Sequence, residues 1–279
     1  MENNSIKENL NKDDMISDIL LSMGADINKE NIYLIVEGES DVKFLQSFLS
    51  NNVLLYKSYG GKIGVETIVE NFKKNLEVIG IRDRDYQMTT TSSKIFYYDY
   101  SCMEMMILKN DEVFKKICSE YYEGETSFLQ LRSKILKELK YLSIVRMYNE
   151  KENWEKRIKG ISMNSAWNSI EGKINNEFIL EKLNEINEGF FKDEILSKIE
   201  LEYERKWSDD EFYNNTQGHD FYMLYTTICN QFKSSKKIDY SGIEASNRCC
   251  FREKDFIQTN LYQKLSEYEK QNCFKICDI

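Results

Sequence analysis

The most ordered feature of the chain is a series of short apolar runs in its first third, each followed by polar residues or glycine. IYLIV at 32–36 is an unbroken apolar run of strand length, the pattern of a strand buried on both faces of a parallel sheet. Ser40 stands where it can cap the next segment, in which Val42, Phe44, Leu45, Phe48 and Leu49 carry an amphipathic helical pattern. VLLYKSY at 53–59 predicts a second strand, Gly60 and Gly61 a turn, and IGVETIVENFKKN a second helix. VIGI at 78–81 and KIFYY at 94–98 predict two more strands, and CMEMMILKN at 102–110 a helix. Ahead of them, residues 5–23 predict a short helix ending near Gly24.

This order predicts an α/β fold with a mostly parallel, Rossmann-like sheet flanked by helices. Beyond it, the charged and apolar mixtures at 126–141, 171–206 and 251–270 predict helices, with SIVRMY at 143–148 as one added strand. The expected division is a helical extension over 1–29, a catalytic α/β domain over 30–120 and a mainly helical region over 121–279.

Composition narrows the function. No apolar run approaches the eighteen residues a membrane span needs, and the start MENNSIKENLNKDD has no signal-peptide pattern, so a cytoplasmic protein is expected. Seven cysteines without repeated spacing do not form a disulfide framework, and Cys249, Cys250, Cys273 and Cys277 make a poor zinc set. A formal charge of −9 argues against a surface that wraps nucleic acid, though not against a local basic groove.

The candidate chemistry lies in the loops after the strands. Glu37 follows the first strand in VEGESD, with Gly38 permitting a tight turn and Asp41 entering the next helix. Asp83 and Asp85 follow the third strand and share a face if extended geometry persists, leaving Arg84 to point elsewhere or toward a phosphate. Ligands of open α/β sheets bind at the carboxyl ends of strands, where these loops converge. Crowded carboxylates repel one another, and Mg²⁺ or Mn²⁺ relieves that repulsion with hard-oxygen coordination. Either loop alone also reads as a solvated turn or a helix cap.

Those loops resemble the Toprim domain, whose signature is a glutamate after the first strand and a DxD motif after a later one. The EGxxD form is similar to that of OLD-like nucleases. The resemblance extends to compact stand-alone Toprim nucleases of bacterial anti-phage loci, including PARIS-type effectors, through VEGESD, SYGGK at 58–62, GIRDRDY at 80–86 and YSCMEMMIL at 100–108. It implies a proton-transferring and metal-binding Glu37, a metal-binding Asp83 and Asp85, further ligands in Asp41 and Glu104, and a Lys62 facing phosphate. It also implies a homodimer formed through the helical half, and places GHD at 218–220 at a turn in that half. Arg82 departs from it, standing where many relatives are apolar, and QMTTTSSK at 87–94 is short for a crossover helix.

Other residues carry weaker signals. Gly60, Gly61 and Lys62 fall short of a full P-loop, so a plain turn with a surface lysine is the competing reading. His219 is the only histidine, which excludes a histidine-rich metal centre; a helix-end role is expected for it, and a capping or orienting role for Asp220. Tyr86, Tyr97, Tyr98 and Tyr100 offer rings for base stacking, with ordinary packing as the alternative. KSSKK at 233–237, and Arg132, Lys134, Lys137 and Lys140 on one helix, offer local basic patches. The expected function is Mg²⁺-dependent endonucleolytic cleavage of nucleic acid, with RNA, tRNA included, as the substrate the resemblance implies and DNA nicking as the rival. The chain has no P-loop ATPase, so any ATP-dependent step requires a separate ABC- or SMC-like ATPase subunit. A non-catalytic regulatory partner of such an ATPase is the contrasting class.

Overall fold

Strands β1 (Ile32–Val36), β2 (Val53–Lys57), β3 (Val78–Arg82) and β4 (Ile95–Tyr97) form one sheet in the order β2-β1-β3-β4, and every neighbouring pair is parallel. The computed structural model describes residues 11–86, 92–233 and 237–279. Residues 5–10 of the first expected helix and 87–91 of the QMTTTSSK span lie outside the described residues. Helices α1 (Lys12–Ala25), α2 (Glu39–Leu45) and α3 (Gly61–Asn71) belong to the same part of the chain. The α/β core with a mostly parallel sheet, expected from the apolar runs, is therefore the fold.

Alternation along β1 explains how the sheet is covered. Tyr33 and Ile35 join Met15 and Ile19 of α1 and Val65, Ile68 and Val69 of α3 in one buried cluster. The helix at 12–25 is thus integral to the sheet layer rather than an appendage to it. Among the aromatic contacts of this unit, Phe44 and Phe48 meet Phe256, and Phe96 meets Tyr268. Their partners come from the end of the chain, in α14 (Glu253–Phe256) and α15 (Asn260–Asn272). Asp99 fixes α15 in place: its carboxylate accepts the Asn260 and Leu261 backbone N–H groups at 2.9 and 3.0 Å, satisfying donors a helix start leaves open. The backbone at Ser50 and Leu49 also pairs with Ile276 and Cys277.

The chain divides into two compact units, one made of residues up to Asp99 together with Arg252–Ile279, the other of Tyr100–Phe251. The boundaries of these units fall at 99/100 and 251/252, and the last two helices belong with the sheet.

The second unit is a long, mainly helical region. It holds α4 (Met103–Lys109), α5 (Asp111–Tyr121), α6 (Phe128–Glu138), α7 (Lys140–Lys151), α8 (Met163–Ala166), a small antiparallel pair β5 (Trp167–Asn168) and β6 (Lys173–Ile174), α9 (Asn176–Ile186), α10 (Asp193–Glu204), α11 (Asp209–Asn215), α12 (Gly218–Asn230) and α13 (Tyr240–Cys250). SIVRMY at 143–148 is helical, in the middle of α7, not a strand. Its β-branched residues suggested a strand, but α7 is buried along most of its length and so shows no one-sided period. The basic face expected on α6 and α7 is partly interior. Buried Arg132 donates to the Leu108 and Lys109 carbonyls at the end of α4, and buried Lys140 donates to the Tyr203 and Arg205 carbonyls. Of the KSSKK patch, Lys233 pairs with Glu123, and 234–236 lie outside the described residues.

All seven cysteines are free thiols. Among the described residues, no helix is long and apolar enough to cross a membrane.

Candidate acidic site at the strand ends

The strand order itself creates the site. From β1 the chain passes to β2 on one side, then crosses back to β3 on the other, so the carboxyl ends of β1 and β3 flank the point where the order reverses. Open α/β sheets bind ligands at such a point. Glu37 leaves β1 there, and Asp83 leaves β3 there. The two loops are joined directly, the Asp83 N–H donating to Glu37 Oε1 at 2.8 Å.

The loop after β2 completes the rim. Ser58 Oγ donates to the Gly61 carbonyl at 2.7 Å, holding the GG turn that opens α3. Gly61 has φ +55°, the left-handed region, and an ideal Cβ there would stand 3.9 Å from Glu37 Oε2. The space is adequate, so the requirement for glycine comes from the backbone. Gly61→Ala is expected to cost about 1–2 kcal/mol in urea unfolding; an unchanged midpoint would show that the turn relaxes without strain.

The carboxylates are not equivalent. Burial is the main force on Glu37 and drives its pKa up to about 7; the Asp83 N–H opposes this, while Asp85 and Asp41 reinforce it. Asp41 is buried with both oxygens engaged. Its Oδ2 accepts from the Gly38 N–H at 2.9 Å and its Oδ1 from the Tyr98 hydroxyl at 2.8 Å. It therefore holds the Gly38 turn and caps α2, the role expected of Ser40. Asp85 receives the Lys62 ammonium at 3.2 Å, so in this arrangement Lys62 faces a carboxylate.

Asp85 also departs from the extended geometry expected of the pair. β3 ends at Arg82, and Asp85 sits in a turn at φ +49°. The two aspartates do not project from a common strand face; the turn, not the pleat, sets their relation. Half-buried Arg84 lies between them.

Arg82 was legible only as an exception in an apolar run. It is fully buried, pairs with Glu66 at 3.0 Å, donates to the Asp83 carbonyl at 3.0 Å and lies 5.1 Å from the centre of the Tyr97 ring. It fixes the start of the DxD turn from beneath. Tyr97 and Tyr98, proposed as stacking rings, are buried in these supporting roles.

Glu104 and the GHD segment belong to the second unit. Glu104 is in the first turn of α4, where an ideal Cβ on Gly218 would overlap its Cβ, so glycine is what lets the start of α12 approach α4. Buried Asp220 binds Arg146 through two bonds, at 2.6 and 2.9 Å, and exposed His219 lies edge-on to Tyr240.

Carboxylate oxygens predominate at these loops: Glu37 is burdened first by burial and then by the charge of Asp85 and Asp41, and the Lys62 ammonium stands against Asp85. As the side chains are placed, no group of three or more His, Cys, Asp or Glu forms a ready metal cluster among the described residues. No protein-family model and no curated protein matches the chain.

Proposed function

We propose that this protein is a metal-dependent endonuclease that hydrolyses phosphodiester bonds of nucleic acid, with Glu37, Asp83 and Asp85 as the residues that hold Mg²⁺ or Mn²⁺. The observation that carries the reading is the meeting of Glu37 and Asp83 at the reversal point of a parallel sheet, with Glu37 raised to about 7. A bound divalent ion supplies charge stabilisation at phosphorus and makes a nearby water more acidic.

The chain's own residues supply the rest. Glu37, titrating near neutrality, accepts or returns a proton at its carboxyl oxygen. Lys62 balances Asp85 before substrate arrives and lies where it can turn to a phosphate. Arg82 and the Tyr98–Asp41 bond keep the two acidic loops in register, and Asp41 acts through the Gly38 turn. The resemblance to anti-phage Toprim nucleases favours RNA, tRNA included, over DNA.

The test is cleavage of labelled tRNA, single-stranded RNA and duplex DNA with and without Mg²⁺ or Mn²⁺. Activity that requires the ion and disappears in Glu37→Ala and Asp83→Ala, both still folded by circular dichroism, is the expected result. Equal activity in both variants would refute the assignment. The Lys62–Asp85 pair and the engaged Asp41 favour one second reading, a non-catalytic module whose acidic loops are satisfied without metal. It predicts no ion dependence in any of these assays.

A further inference from the structure

β2 lies at an edge of the sheet, with β1 on one side only. The Asn52 carbonyl accepts from the Ile32 N–H at 2.9 Å, and the Ser58 N–H donates to the Val36 carbonyl at 2.8 Å. Residues 52 and 58 therefore turn their backbone to β1, and by strand alternation so do Leu54 and Tyr56. Val53, Leu55 and Lys57 turn theirs outward. The Val53 N–H is taken by the Ser50 carbonyl at 3.0 Å. The Val53 carbonyl and both backbone groups of Leu55 and Lys57 have no hydrogen-bond partner among the described residues.

An open edge of this kind pairs with other chains unless something blunts it. The opposite edge is sheltered, since Phe96 of β4 packs against Tyr268 of α15. β2 is only half-buried from Val53 to Tyr56. Its sequence, VLLYK, holds no proline, and its register with β1 runs unbroken from Val53 to Lys57 without a bulge. The single charge stands at its end, on Lys57.

The open groups complement themselves. About a two-fold axis at Leu55, two antiparallel β2 strands exchange both Leu55 bonds, and each Lys57 N–H meets the Val53 carbonyl of the second copy. Only the Lys57 carbonyl is left over. Axes nearer Val53 require its N–H, which is already used, and axes nearer Lys57 bring two ammonium groups together. The Leu55 register sets Leu55 against Leu55 and Leu54 against Tyr56, and keeps the lysines apart.

A five-residue strand alone covers far less than the roughly 800 Å² per partner of a stable interface. The neighbouring helix adds to it. Ser22 Oγ of α1 lies 3.1 Å from the Tyr56 hydroxyl, and α1 carries Leu20 and Leu21 at 54% and 75% exposure. A two-fold axis normal to the sheet places both α1 helices on one face, side by side. That covers apolar surface which a lone strand from another protein would leave in water.

From this pattern we infer that β2 is a dimerisation edge, at which two copies of this chain pair antiparallel about Leu55 and join two four-stranded sheets into one. The resemblance to Toprim nucleases implies a dimer through the helical half; this interface lies in the other unit. It does not depend on the acidic loops being catalytic.

The experiment is sedimentation of the full chain over about a hundredfold range of concentration, with site-resolved amide exchange on the same samples. A monomer–dimer equilibrium is expected, in which the Leu55 and Lys57 amides slow as dimer accumulates. The Leu54 and Tyr56 amides, bonded to β1, should be slow throughout. Lys57→Pro removes an outward N–H that makes no bond within the protomer, so circular dichroism should be unchanged. It should weaken dimerisation by about tenfold or more, because it deletes both Lys57–Val53 bonds. Leu55→Lys should do the same by setting like charges on the axis. Dimers of wild-type strength in both variants, with Leu55 and Lys57 exchanging freely, identify another interface and overturn the inference. A monomer at every concentration also overturns it. If the Leu55 amide of that monomer is already slow, the chain's own residues cover the edge.

Discussion

Glu37→Gln is expected to abolish ion-dependent cleavage and, in metal-free protein, to make the fold more stable at pH 8. Loss of a proton-transferring group alone corresponds to about 10²–10⁴-fold in rate, and loss of an ion ligand adds to that. The stability gain comes from linkage. Burial raises the Glu37 carboxyl from 4.5 to about 7. Between those values the folded chain holds a proton that the unfolded chain releases, so stability falls as pH rises through this window. Above pH 7 the folded state carries the whole cost of a buried charge, at most about 3 kcal/mol. Glutamine keeps an acceptor for the Asp83 N–H and removes the charge. Urea unfolding in EDTA should therefore show the variant ahead of wild type at pH 8 and level with it near pH 4.5. Added Mg²⁺ should close the gap by stabilising wild type alone. A variant no more stable than wild type at pH 8 would mean that the carboxyl is not burdened by burial, and an Mg²⁺ effect equal in both proteins would mean that Glu37 is not a ligand.

The second large effect is expected at Arg82. Arg82→Ala removes a fully buried cation, empties its volume and leaves Glu66 without this partner, a combination that costs about 3–5 kcal/mol. Replacing the pair together, Arg82→Met with Glu66→Gln, removes both charges while filling the space, and should recover most of that loss. Cleavage should not recover with it, because the guanidinium bond to the Asp83 carbonyl is still absent. Denaturant midpoints and cleavage rates on the same three proteins separate the roles. If Arg82→Ala matches wild type in stability, the buried pair contributes nothing; if the double variant cleaves normally, Arg82 does not position the DxD turn.

These two residues also mark how far the sequence could be read. The apolar runs at 32–36 and 78–81 are strands almost to the residue, because a strand covered on both faces leaves an unbroken apolar signature. Glu37 and Asp83 could be paired in advance, since parallel strands bring their carboxyl ends together. The loops beyond the strand ends are harder to read. The Lys62 contact to Asp85 and the Tyr98 bond to Asp41 join residues 23 and 57 positions apart, and no local pattern encodes them. The resemblance to the EGxxD form implied a ligand at Asp41; the bond that this residue makes to the Gly38 N–H, which caps α2, could not be read from it. Arg82 was visible only as a charge where an apolar residue was due.

The return of the last helices to the sheet has a consequence for synthesis. Phe256, Leu261, Leu265 and Ile276 are buried in the unit that holds Glu37 and Asp83, and Asp99 waits for the start of α15. A chain emerging amino end first can complete Tyr100–Phe251 while the sheet still lacks one of its walls. The acidic loops are thus made well before the helices that support them. Emergence of Arg252–Ile279, rather than translation of the acidic motifs, sets the moment at which that unit is whole.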